Sequence, residues 1–338
     1  MEERTEKADA ATRMLEMIWP GPLAAQAIYA AARLGLADIL ADGPHSAEDI
    51  ASTAKADAPS VRRLLRALAT LEIFHQEDDG RFSQTPRSET LRSGTQVFTW
   101  AIMLGSPFVW RPWGQLYDGV VTGRCAFDEV FAMPFDEYMA VHPDEAEAYN
   151  AAMNTNASMA LSPVVAAYDF SKFETIVDVG GGRGALLAGI LEVNPGARGV
   201  LFDLPGVVAD PEKLQVTRLG ARCAVEGGNF FEYVPAGDAL VLKSIIHGLS
   251  DEQAVRILYN CHEALNPGGR LILVETVLQP IQEPNPQKAL MDLMMFTLTT
   301  GHERTAEQFE VLLREARFEL LQIIPTERGN SVIEAAPQ

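Results

Sequence analysis

The chain has 338 residues, 47% of them apolar and 22% charged, the balance of an ordinary globular protein long enough for about two domains. It carries 27 basic against 46 acidic side chains, a net charge of −19, which argues against nucleic acid or an anionic membrane surface as its main partner. It has no apolar run long enough to cross a membrane and a charged start, MEERTEKADA, so no transmembrane helix or secretory leader is expected. Cys125, Cys223 and Cys261 are scattered, without a C-x-x-C pair. They point to a reducing, cytoplasmic compartment and to neither disulfides nor a metal site.

In chain order, residues 8–41 read as helical. An apolar stripe through Ala11, Met14, Leu15 and Ile18 is followed by a second over 24–40, with Pro20-Gly21-Pro22 breaking them apart. Ser46-Ala47-Glu48-Asp49 has the pattern of a capped helix start. A helix over 58–71 puts Val61, Leu64, Leu65 and Leu68 on one face, and 73–83 reads as a hairpin around Asp78-Asp79-Gly80. Helix, helix, hairpin is a winged-helix outline. Arg62, Arg63 and Arg66 would lie on the helix that enters DNA in such units, but on so acidic a chain a domain used for packing is the better expectation.

Residues 95–168 read as helical and aromatic-rich, with Trp100, Trp110 and Trp113 close together. These aromatics suit a core or a helical interface, or a pocket for a flat apolar molecule. From 169 onward strands and helices alternate. Thr175–Val179, 199–202, 221–226, 239–243 and 270–275 read as strands, 251–265, 289–300 and 305–316 as helices, and 318–324 with 331–335 as a closing antiparallel hairpin. The expected fold is α/β, a Rossmann-like doubly wound sheet ending in that hairpin, behind a mainly helical winged-helix-like unit. The expected division is 1–94, a dimerisation domain; 95–168, a helical connector contributing to the substrate pocket; and 169–338, the catalytic domain.

The glycine run Gly180-Gly181-Gly182-Arg183-Gly184 separates the first strand of that sheet from a helix. Strand, glycine turn, helix suits a nucleotide-containing ligand, because backbone can approach where a Cβ would clash. Gly180, Gly182 and Ala185 also satisfy a nicotinamide-type G-x-G-x-x-A, so the turn alone leaves the ligand open. Other residues fall at the same sheet edge. Asp203 ends the second strand, where a carboxylate suits ribose hydroxyls. Asn229 and Phe230 follow the third and suit an adenine ring. Lys243 ends the fourth, and His247 just beyond is placed for a general base. Glu275 ends the fifth and can orient and charge-stabilise the imidazole.

The strings VDVGGGRG, FDLP, GGNFFEYVP, Lys243-x-x-x-His247, ALNPGGRLILVE, HERT and SVIEAAP, in this order and spacing, resemble the S-adenosylmethionine-dependent small-molecule O-methyltransferases of plant caffeate and flavonoid type and bacterial polyketide-tailoring type. The resemblance covers nearly the whole chain. It implies S-adenosylmethionine as cofactor, held by Gly180, Gly182, Asp203, Asn229, Phe230 and Lys243. It implies His247 as base, flanked by Glu275 and Glu303, and a substrate pocket lined by Met153, Asn154, Met291 and Met295. It also implies a homodimer and an aromatic or polyketide-like substrate. Departures stand at Asn229, where the family usually has Asp; at Gly248-Leu249, where it has Asp-Trp; and at Arg317, where it has Gly. Relatives that keep the cofactor yet catalyse hydroxylation, decarboxylation or pericyclic steps are the alternative these departures raise.

Overall fold

The computed structural model describes residues 2–278, 285–327 and 329–338. The chain divides into two compact units, 1–110 and 111–338.

In the first unit the helices Glu2–Ile18 and Gly21–Arg33 are separated at the Pro20-Gly21-Pro22 break. Helix Ala47–Ala54 starts where the Ser46 hydroxyl accepts from the Asp49 N–H, and helix Ala58–Thr70 where the Asp57 carboxylate accepts from the Ser60 N–H. Val61, Leu65 and Leu68 of the second helix are buried against Leu36, Ile50, Phe74 and Phe82. The expected hairpin is β1 (Phe74–Gln76) antiparallel to β2 (Phe82–Gln84). Arg62 is ion-paired to Glu48. Leu15, Ile18 and Trp19 leave most of their surface exposed. Among the described residues no single helix is long and apolar enough to cross a membrane.

The second unit is built on one sheet. Its strands are β3 (Thr175–Val179), β4 (Arg198–Asp203), β5 (Cys223–Gly227), β6 (Gly237–Lys243), β7 (Leu265–Leu278), β8 (Arg304–Thr305), β9 (Phe318–Pro325) and β10 (Asn330–Pro337). The order is β5-β4-β3-β6-β7-β10-β9, with the short β8 beside β7. Strands β3 to β7 run parallel, and β10 lies antiparallel between β7 and β9. Successive strand residues point to opposite faces, and both faces are covered. Val177, Leu240, Leu242, Leu271 and Leu273 meet the helices Asp251–Ala264 and Ala306–Glu315 through Ile257, Leu258, Phe309 and Leu313. Ile176, Val241, Ile272 and Val274 meet helix Ala185–Val193 through Leu187 and Ile190, together with Val164 of the long helix Pro143–Ala167. That two-sided burial explains why these strands read as unbroken apolar runs.

Connections from β3 lead to β4 on one side, while β6 lies on its other side. The carboxyl ends of β3 and β6 therefore open a crevice at the strand-order switch, where ligands of doubly wound sheets bind. Arg317, standing where glycine is usual in the resembling family, has a left-handed φ of +64°. The backbone there keeps the conformation that glycine adopts without strain.

Candidate active site

The turn after β3 is shaped by its glycines. Gly180 has φ +70°, and a Cβ on it would stand 2.6 Å from Ile245 Cδ1 and 3.4 Å from Phe230 Cε1. The loops after β3, β5 and β6 thus close on one point. Gly182 has φ +60° with open space on its Cβ side, and its N–H donates to Asp203 Oδ2 at 2.7 Å. Asp203 Oδ1 accepts from the Leu204 N–H at 2.7 Å. The carboxylate is thereby fixed beside the glycine turn with lone pairs to spare. Burial raises its pKa despite these two bonds. Asp178, beneath the turn, is buried with Oδ2 unpartnered. Burial and then the Asp203 charge push it up to about 7, against the pull of Lys243. Burial, then the Asp203 charge, also push the phenol of half-buried Tyr149 up to about 12.

Asn229 Oδ1 accepts from the Phe231 N–H at 2.9 Å. The side-chain oxygen of Asn229 therefore holds its own turn. Asn229 also lines an open groove of about 670 Å³ with Ser250, Gln253, Arg256 and Thr300. Lys243 Nζ donates to Asn156 Oδ1 at 2.8 Å and to Ser244 Oγ at 3.1 Å. Burial lowers its pKa, opposed by the charges of Glu275 and Asp178.

After β6 the chain turns sharply. Ser244 adopts a left-handed φ of +55°, and a short 3₁₀ turn, Ile246–Gly248, carries His247. Glu275, at 1% exposure, accepts from the Ile245 and Ile246 N–H groups through Oε1 at 2.9 and 2.8 Å. Its Oε2 stands 3.9 Å from His247 Nδ1. Glu303 makes the direct contact, with Oε1 2.9 Å from Nδ1. An ionised carboxylate only accepts, so this contact places the proton on Nδ1 and leaves Nε2 as the acceptor. The imidazole is 18% exposed. Burial would lower its pKa, but the Glu275 charge and the Glu303 hydrogen bond overrule it and raise it. Burial, and after it the Glu303 charge, raise the pKa of Glu275 against His247 and the two N–H groups. One donor atom each from His247, Glu275 and Glu303 lies within 4.8 Å of the others, a spacing that a divalent cation could use only by displacing the Nδ1 proton.

Of the expected pocket residues, Met153 and Asn154 lie on helix Pro143–Ala167, tied to the site by Asn156 and by Glu147, which pairs with Arg183 of the glycine turn at 2.7 Å. Asn154 Oδ1 is buried and unpartnered. Met291 and Met295 are half-buried on helix Pro286–Leu298, whose Asp292 accepts from the Glu303 N–H. Of the aromatics between 95 and 168, Phe108 is core at 1% exposure while Tyr117 is 78% exposed. Two residues escaped the sequence reading. Gly301 packs so closely that a Cβ would stand 2.1 Å from the His247 carbonyl oxygen. Arg304, buried, donates to the carbonyls of Ile246 and Leu249. HERT had marked this segment, but no periodicity ties it to His247.

The sequence profile of the O-methyltransferase domain matches residues 113–319, and that of the O-methyltransferase dimerisation domain residues 20–94. The chain belongs to the O-methyltransferase family. It is 39% identical over 328 residues to the phenazine O-methyltransferase of Lysobacter antibioticus, covering 96% of this chain and 95% of that protein. It is 38% identical over 317 residues to the 3-amino-4-hydroxybenzoate 4-O-methyltransferase of Streptomyces cremeus, covering 92% and 86%. The crystal structure of an O-methyltransferase from neocarzinostatin biosynthesis, in complex with S-adenosylmethionine and 2-hydroxy-5-methyl naphthoic acid, superposes with a TM-score of 0.82 at 29% identity, covering 93% of this chain and 96% of that one. This O-methyltransferase uses S-adenosylmethionine. Its own residues fit that cofactor: open space beside Gly182, the anchored Asp203 carboxylate, and the unpartnered Asp178 oxygen under the turn.

Proposed function

We propose that this methyltransferase acts on a hydroxyl of an aromatic or polyketide-like small molecule, with His247 as general base. The contact between Glu303 and His247 Nδ1 carries the reading, because it leaves Nε2 free to take the acceptor's proton. The bound cofactor supplies an activated methyl group; the protein supplies position and proton removal. Gly180, Gly182 and Asp203 hold its methionyl and ribose parts, Asn229 and Phe230 flank its adenine, and Lys243 borders it. Met153, Asn154, Met291 and Met295 line the acceptor's side. Glu303 keeps the imidazole in the Nδ1–H tautomer and, with Glu275, stabilises it once protonated. The two relatives named for phenazine and 3-amino-4-hydroxybenzoate support a flat aromatic acceptor. The dimerisation-domain match and the exposed Leu15, Ile18 and Trp19 support a homodimer.

The test is His247→Ala, assayed with 3-amino-4-hydroxybenzoate and 2-hydroxy-5-methyl naphthoic acid as first acceptors and mass spectrometry of the product. Turnover is expected to fall roughly 10²–10⁴-fold, while S-adenosylhomocysteine binds as in the unaltered enzyme. Unchanged turnover overturns the base assignment. Conversion of an acceptor without gain of a methyl group overturns hydroxyl methylation in favour of the hydroxylation or decarboxylation chemistry that the 247–249 departure raised.

A further inference from the structure

We propose that Arg304 is a positioning residue for His247, its guanidinium clamping the turn that presents the imidazole. The inference rests on the reading of His247 as base. Arg304 is 1% exposed and among the largest fully buried side chains described. Burying a guanidinium is expensive, and apolar residues of similar volume fill such space as well or better, so packing alone does not account for it. Its donors are nearly all spent on one short segment. Nη1 donates to the Ile246 carbonyl at 2.8 Å and Nη2 to the Leu249 carbonyl at 2.9 Å. Nε and Nη2 reach Asp251 Oδ1 at 3.0 and 2.6 Å, at the start of the following helix. The two carbonyls bracket His247.

The opposite polarity of the same turn is held by Glu275, which accepts from the Ile245 and Ile246 N–H groups. A carboxylate on the N–H groups and a guanidinium on the carbonyls thus fix the His247 backbone from both ends. Arg304 directly follows Glu303, the imidazole's partner, and Gly301 lies against the His247–Leu249 backbone. Residues 301–304 therefore deliver the partner carboxylate and the clamp as one piece. The 2.9 Å contact at Nδ1 depends on the turn keeping its register against that piece.

The charged groups around the imidazole are Glu275 from β7, Glu303 from the 301–304 segment and Lys243 from β6; Asp251 and His302 stand around Arg304. This arrangement gives the test its sign. Loss of the Arg304 cation acting only through space would push the imidazole's titration upward. Loss of the imidazole's place beside Glu303 pushes it downward, because that carboxylate helps hold it raised.

The experiment compares the full-length enzyme with Arg304→Met and Arg304→Lys. It follows the His247 imidazole titration by NMR, assigned with His247→Ala, S-adenosylhomocysteine binding by calorimetry, and kcat on whichever of the two acceptors the unaltered enzyme methylates. In Arg304→Met the titration midpoint is expected to fall by about one unit, and kcat roughly tenfold to hundredfold, with S-adenosylhomocysteine affinity preserved. Arg304→Lys, able to reach one carbonyl, is expected to fall between, and it carries the comparison if the methionine variant does not fold. A lower Tm with midpoint and kcat unchanged, or an upward midpoint, overturns the proposal. If His247→Ala retains turnover while the midpoint still moves in Arg304→Met, the base reading fails and the positioning stands. If His247→Ala loses turnover while the Arg304 variants change neither midpoint nor kcat, the positioning fails alone.

Discussion

Glu303→Gln removes a charge from the imidazole's partner and keeps its shape. The perturbed contact is the 2.9 Å bond at His247 Nδ1. A hydrogen bond to a charged group is worth about 1.5–3 kcal/mol and a neutral one about 1. The exchange therefore costs the protonated imidazole about 1–2 kcal/mol, close to one unit in its titration. Glu275 Oε2, 3.9 Å away, remains and keeps the fall from being larger. The base works only when neutral, and its folded pKa is raised, so turnover climbs as pH rises through that value. In Glu303→Gln the climb is expected to begin about one unit lower. Turnover on the high-pH plateau is expected to drop at least about tenfold, since 1.36 kcal/mol is one decade. The drop approaches about 10⁴ if the amide turns its NH₂ toward Nδ1 and forces the proton onto Nε2. The assay is the pH dependence of kcat at saturating cofactor and acceptor. An unchanged plateau with an unmoved acidic limb would refute the role given to Glu303.

Two further substitutions examine the cradle. Gly180→Ala meets both a left-handed φ and Ile245 at 2.6 Å, so it is expected to lose roughly 2–5 kcal/mol of stability. Gly182→Ala meets only the backbone cost of about 1–2 kcal/mol, yet it is expected to weaken S-adenosylhomocysteine binding at least about tenfold by filling the open side of the turn. Denaturation and calorimetric titration separate the two, and unweakened binding by Gly182→Ala would place the ligand elsewhere. Asp178 has a folded pKa raised from 3.8 to about 7, so its contribution to stability is fully present below 3.8 and lost as pH rises through 7. Asp178→Asn is therefore expected to stabilise the cofactor-free protein by about 1–3 kcal/mol at pH near 8, with the gain shrinking as pH falls toward 4. A gain independent of pH would show that the folded pKa of Asp178 is not raised.

The parallel strands were legible because burial on both faces leaves apolar runs that end abruptly in Asp203 and Lys243, whereas Glu275, expected to end the fifth strand, lies inside β7, which continues through Val277 to Leu278. Asp203 and Lys243 mark the carboxyl edge of the sheet. The glycine turn was legible as a turn and ambiguous as to ligand, since backbone that permits close approach does not specify what approaches. Glu303 was reached only through family resemblance. Its partner lies 56 positions away in sequence, and hydrogen bonds across such separations leave no periodic trace. Arg304 and Gly301 were missed for the same reason. One reads as a surface cation and the other as a loop glycine until the 246–249 turn is seen against them. Glu275 was expected at a strand end beside the imidazole; it lies inside β7 with Oε2 3.9 Å from Nδ1, and its grip on two backbone N–H groups left no trace in the sequence.

Helix Pro143–Ala167 is fastened at two points to opposite sides of the switch crevice. Glu147 bridges Arg183 of the glycine turn and Lys213, and Asn156 takes the Lys243 ammonium. The helix bearing Met153 and Asn154 is thus a yoke across the two banks of that crevice. Under the proposed function, in which Met153 and Asn154 line the acceptor's side, a change in the spacing of those banks would be carried along this helix to the acceptor. On that reading, exchange of side chains at positions between Glu147 and Asn156 would alter acceptor preference and leave both fastenings in place.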